Sequence, residues 1–214
     1  SFKFIKERNL FMFLLCIYLA LGFHKTSVAF LPAYWLVKIP MNQRRIFWVL
    51  VVSLLVSPLE LYRFAGGLFG SLTPQDISGA YTGYLDDRYY GTEVETGLND
   101  IVKIIFIIIL IRYDKEGCDE VWWYEYMRNL AVFGMALFYF FRSNEIFAVR
   151  LPGAYMFFVT MFCMPNLVYA VRDRTRQILY MGFISYFVAM FFYFGKGNGN
   201  RGGFTSDRYQ NALW

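Results

Sequence analysis

Charge is what this sequence has least of. Only 17% of its 214 residues are Asp, Glu, Lys or Arg, while 57% are hydrophobic and 21% aromatic. Water-soluble domains carry roughly a quarter charged residues, so the shortage argues against a fold that must cover itself in water-facing groups. Histidine is scarcer still, with His24 the sole example. One imidazole cannot assemble a histidine-based zinc cage, and no G-x-S-x-G elbow accompanies it for serine hydrolysis. The three cysteines, Cys16, Cys118 and Cys163, form no CxxC pair, which leaves neither a metal site nor a disulfide framework. The glycine-rich tail lacks G-x-x-x-x-G-K-[ST], which removes a nucleotide-binding P-loop. No secretory signal is visible. The chain opens on Ser1 and enters an apolar run almost at once, which suggests the C-terminal portion of a longer protein.

What the chain does have is long apolar runs. Seven stand out, at 10–23, 26–39, 46–58, 101–111, 129–141, 151–171 and 177–194. A bilayer span needs roughly 17 to 25 predominantly apolar residues. The last two reach that length alone, and the third to fifth approach it with their flanks. "DIVKIIFIIILIRY" and "YMGFISYFVAMFFYFG" show no polar face at helical spacing. A helix apolar all round belongs in lipid or in a core larger than this chain can build. These runs predict an all-α polytopic membrane protein with about seven transmembrane or re-entrant helices, forming a single membrane domain over 1–214. The net charge of +5 sits at the ends of the runs, as membrane flanks and not as a stripe for nucleic acid.

Short loops rich in Lys and Arg stay cytoplasmic. "KFIKER" (3–8), "NQRR" (42–45) and "VRDRTR" (171–176) are the clearest of these. An even number of crossings separates each from the next, so the N-terminus is expected inside and the C-terminus outside. The extracytoplasmic loop is then 59–100, and a cytoplasmic loop lies at 112–128. The first two runs form a hairpin with His24 and Lys25 at its tip. Fourteen helical residues rise only about 21 Å, short of the roughly 30 Å hydrocarbon core. The tip is therefore expected below the outer surface, with Gly22 and Pro32 breaking regular helix. Charge and irregular backbone at that depth are tolerated beside protein or a watery cavity. An ordinary interfacial loop is the alternative.

Basic residues on the outer side need a reason to be there. They include Arg63, Arg88, Arg142 and Arg150. An arginine fork suits phosphate oxygens, although pairing of Arg150 with Glu145, or of Arg88 with Asp86 or Asp87, would serve loop structure alone. Tyrosines on this side, Tyr155 among them, suit sugar stacking or an interfacial belt.

"FHKTSVAFLPAYWLVK" resembles the His-x-Ser-Ala-x-x-x-x-Pro-x-Tyr signature of the EpsG family, relatives of the O-antigen and capsule polymerases. "YLDDRYYGTEVETGLNDIVKIIFIIIL" and "RSNEIFAVRLPGAYMFF" are similar to its later segments, in the same order. Lys25 and Thr26 depart from the small or hydroxyl residues usual there. The resemblance implies a helical, GT-C-like polysaccharide polymerase in the bacterial inner membrane. Such an enzyme joins repeat units carried on undecaprenyl diphosphate at the outer face, without metal or other cofactor. The donor already carries a diphosphate leaving group, so the protein must supply cations and orientation. Arg142 and Arg150, with Lys25, Arg63 and Arg88, would hold the diphosphate, and Tyr155 the substrate. His24, ordinarily titrating at about 6.5, would take the acceptor's proton or hydrogen-bond substrate. The implied partners are the undecaprenyl-linked oligosaccharide, membrane lipids and other polysaccharide-assembly proteins. Two other functions stay open: a flippase for lipid-linked oligosaccharide, and a non-enzymatic subunit whose outer arginines are buried against protein.

Overall fold

The computed structural model describes residues 2–23, 25–60, 93–94 and 97–196. Every regular element among them is helical. The chain forms two compact units, Ser1–Leu167 and Val168–Trp214.

In the first unit, α1 (Phe2–Lys6) leads into α2 (Leu10–Phe23), and the Asn9 side chain caps that start by accepting from the Met12 amide at 3.0 Å. The second apolar run does not become a matching helix. It makes a 3₁₀ helix, Lys25–Phe30, then one turn of α3, Ala33–Leu36, which starts at Pro32. Proline has no amide to continue a preceding helix and favours the first turn of a new one. Asn42 opens α4 (Gln43–Val56), its side-chain oxygen accepting from the Arg45 amide at 2.8 Å.

Helix α5 (Leu98–Arg112) carries the fourth apolar run. The segment expected as a loop at 112–128 is largely structured. It holds α6 (Asp114–Glu120) and a tight turn at Trp123, whose φ of 69° is left-handed. The turn launches α7 (Tyr124–Phe140), the centre of the unit, which packs against α4, α8 (Glu145–Phe157) and the π-helical segment Phe158–Cys163. Buried side chains run round most of α7, from Leu130 through Met135 to Phe138. Gly134 sets the closest approach. A Cβ there would stand 2.6 Å from the Tyr155 Cβ, so even alanine would force α7 and α8 apart. Small residues serve this purpose where helices pack without a hydrophobic drive between them.

Helix α8 runs on through the π segment into α9 (Met164–Ala170). The wider turn leaves backbone carbonyls to satisfy, and Asn166 donates to the Phe162 carbonyl at 2.7 Å. Phe147–Ala170 is the one stretch among the described residues long and apolar enough to cross a membrane. In the second unit, α10 (Asp173–Lys196) carries the last apolar run, with Arg176 lying over the Tyr169 ring.

Contacts at the helix ends sort the first unit's connecting segments into two groups. Lys6 lies over the Trp122 and Trp123 rings, and Asn129 donates to the carbonyls of Leu36, Val37 and Ile39. At the opposite end of α7, the Val94 amide donates to the Arg142 carbonyl, and Ser143 donates to the Ser57 carbonyl. The charge pattern assigns these same two groups of segments to opposite sides.

Candidate functional site

The signature segment after His24 is held from two directions. Ser27 Oγ donates to the Ala20 carbonyl at 3.3 Å and ties the 3₁₀ helix back to the end of α2. Tyr155 Oη donates to the Ala29 carbonyl at 2.5 Å. Tyr155 lies eight residues into the Phe147–Ala170 helix, about 12 Å along it at 1.5 Å per residue. The broken limb therefore packs beside the interior of that helix, about a third of the way along it. Phe30 stacks near Tyr155 and Phe158, and Tyr34 packs on Phe13 of α2. The signature's Ser, Pro and Tyr thus shape the hairpin: Ser27 closes its neck, Pro32 restarts helix, and Tyr34 joins the limbs.

Tyr155 itself is fully buried. Its ring fits between Phe30, Phe133 and the bare Gly134, and its hydroxyl is committed to Ala29. It positions the backbone that follows His24. His24, Arg63 and Arg88 lie outside the described residues, as does the Lys25 side chain.

Arg142 is placed at the far end of α7 and is tied to protein. Its Nη1 donates to Asp100 Oδ1 at 2.7 Å, and its Nη2 to Asp100 Oδ2 at 3.1 Å and the Val94 carbonyl at 3.4 Å. Asp100 also accepts from the Gly97 amide at 3.1 Å, forming the capping interaction that starts α5. Burial on its own would raise the Asp100 carboxyl, but the bonds from Arg142 and Gly97 outweigh it and hold the group below its usual value. The same partnership raises Arg142. Arg150 lies on the exposed side of α8, five residues before Tyr155. The structure thus gives the two bracketing arginines different surroundings.

A second polar cluster, which the sequence reading did not single out, sits at the other end of α7. Arg128 Nη1 reaches both Asp114 oxygens, at 2.9 and 3.0 Å. Its Nε and Nη2 donate instead to Asn129 Oδ1. Asn129 then gives its amide hydrogens to the three carbonyls that end the broken limb. Asp114, Arg128 and Asn129 are all buried. Here burial is the largest influence on Asp114, and it raises the carboxyl despite Arg128, with Glu125 adding to the rise. Burial likewise pushes the Cys118 thiol up to about 11. A suppressed thiol of this kind is a packing group and a poor nucleophile.

The features so far define a helical protein with a broken, internally packed segment beside its long apolar helix. The chain belongs to the EpsG family, whose description matches residues 1–208. No curated protein and no solved structure matches it. Family membership and the Phe147–Ala170 helix together point to a membrane protein.

Proposed function

We propose that the protein is a multi-pass polysaccharide polymerase of the bacterial inner membrane. It joins repeat units carried on undecaprenyl diphosphate at the outer face. The observation that carries this reading is the broken limb of residues 25–36, packed against the C-terminal part of α8, within the Phe147–Ala170 helix, by the Tyr155–Ala29 bond. Irregular backbone at such a position is stable in a membrane only where protein or a watery cavity surrounds it. It supports reading the segment 25–36 as a built, internally packed part of the fold.

The reaction needs little covalent help. The acceptor hydroxyl attacks the anomeric carbon of the growing chain, the bond to the diphosphate oxygen breaks, and the lipid diphosphate leaves. His24 takes the hydroxyl proton or orients that hydroxyl. Arg150, exposed on α8, steadies the charge that develops on the leaving diphosphate. Lys25, Arg63 and Arg88 are further cations for that task. Arg142 contributes through its field, since its fork is engaged by Asp100.

Burial of Arg142 against protein is also what a non-enzymatic subunit would show, and it is the one observation favouring that second reading. A strain lacking the protein separates the possibilities. A polymerase defect leaves single lipid-linked repeat units on the outer leaflet, unjoined. A flippase defect leaves them on the inner leaflet. A subunit defect is repaired by the His24→Ala variant as well as by the wild-type chain.

A further inference from the structure

Lys103 is the only charged side chain within the apolar stretch 101–111. Its ammonium stands 3.7 Å from the centre of the Phe138 ring, and among the described residues no carboxylate lies within ion-pair distance. Next to Phe138 on α7, Tyr139 is 6% exposed, and its hydroxyl is buried without a hydrogen-bond partner. An ionisable group set among membrane-depth apolar residues ordinarily marks a functional position. An orphaned buried hydroxyl needs an explanation of its own.

Both groups lie near one ion pair. Asp100 and Lys103 are three residues apart on α5, and residues three apart share a helix face. Tyr139 and Arg142 are three apart at the end of α7 and in the turn after it. The Arg142–Asp100 ion pair joins these positions, and both of its charges act on Lys103 and on Tyr139. Two carboxylates face the cluster, Asp100 and Glu93, and both act on Arg142. Asp100 has each oxygen engaged by an Arg142 nitrogen. That leaves the hydroxyl of Tyr139 without a partner, and the Lys103 ammonium set over an aromatic ring with no carboxylate among the described residues paired to it, beside a guanidinium.

We propose that Lys103 and Tyr139, beside the Arg142–Asp100 pair, bind a phosphoryl group. One tetrahedral anion offers enough oxygens to satisfy an ammonium and a hydroxyl together, while the adjacent guanidinium adds favourable charge. The site deepens the polymerase reading and rests on it for the ligand's origin: the group is the phosphoryl head of the lipid carrier. Free phosphate or pyrophosphate shares the chemistry, so the test carries both sources.

The full chain in phosphatidylcholine nanodiscs is titrated with inorganic pyrophosphate. In a second arm, undecaprenyl phosphate is incorporated into the same nanodiscs. Binding by the wild-type chain is expected, with Lys103→Met weakening it about tenfold and Tyr139→Phe about threefold, the range for losing a charged and a neutral donor. Lys38→Met, a cation over the Tyr34 ring at the other end of the unit, should leave binding unchanged. Binding of the lipid alone or of both probes supports the carrier's headgroup, and pyrophosphate alone supports a free anion in the same site. Wild-type affinity in both variants, or no binding in either arm, overturns the proposal. Tyr139→Phe removes one oxygen and keeps the ring, so it answers even if the lysine variant misfolds. Binding is read without turnover, so failure of the polymerase reading would leave this result intact.

Discussion

Two ion pairs stand at opposite ends of α7, and they are built differently. Fourteen residues separate Asp100 from Asp114, and fourteen separate Arg128 from Arg142. Asp100 receives two guanidinium nitrogens and a backbone amide, enough to hold it ionised against its burial. Asp114 receives a single nitrogen of Arg128, because the rest of that fork is spent on Asn129, and the weak donor Cys118 Sγ; burial prevails. The balance between burial and the hydrogen bonds donated to a carboxylate, more than the presence of an arginine, decides which way it shifts. The difference also divides the labour. The Arg128 end is a lock joining α6, α7 and the end of the broken limb. The Arg142 end is a charged frame beside an unmatched hydroxyl, that of Tyr139.

The comparison breaks hardest at Arg128. Arg128→Met strands Asp114 in the interior and is expected to cost about 3–5 kcal/mol. Adding Asp114→Leu should recover most of that loss, as measured by denaturant unfolding in detergent. Arg142→Met should cost less, about 2 kcal/mol, the worth of hydrogen bonds to a charged group, because its side chain is 12% exposed against 3% for Arg128. Equal losses would mean that both ends serve as locks. Asn129→Ala releases three carbonyls and is expected to cost about 1–3 kcal/mol, with the 36–39 segment the first to gain protease sensitivity.

Proton linkage gives a smaller and sharper contrast. Asp100, held low in the folded state, contributes stability that is fully present above its ordinary 3.8 and is lost as pH falls through the folded value. Asp114, held high, contributes in the opposite sense: its share is present below 3.8 and is lost as pH rises through the folded value. Relative to the wild type, Asp100→Asn should therefore lose stability as pH rises from about 3 to about 6, and Asp114→Asn should gain it. Thermal midpoints across that range check the signs. Slopes of one sign would remove the distinction.

Apolar patterning located the helices well, because run length and flanking charge act locally. The run 10–23 became α2, which runs through Gly22 to Phe23, and Pro32 stands where regular helix restarts after the 3₁₀ segment. Sequence marked Arg142 and Arg150 as outer cations, but it could not show that Arg142 is clamped by Asp100. Asp100 lies 42 residues before Arg142, and nothing local records such a pairing. The helical character of 114–120 was masked by its high charge, which reads as a loop until Asp114 meets Arg128. Lys103 carried a legible signal, a lone cation in an unbroken apolar stretch. Tyr139 carried none, since one tyrosine among many aromatics acquires meaning only when its hydroxyl is found unmatched.

The most direct test of the functional account is the polymer length made in cells by the His24→Ala, Arg150→Ala double variant, with membrane insertion verified. The account predicts intact insertion and no product beyond the single repeat unit. Long polymer from that double variant would contradict it.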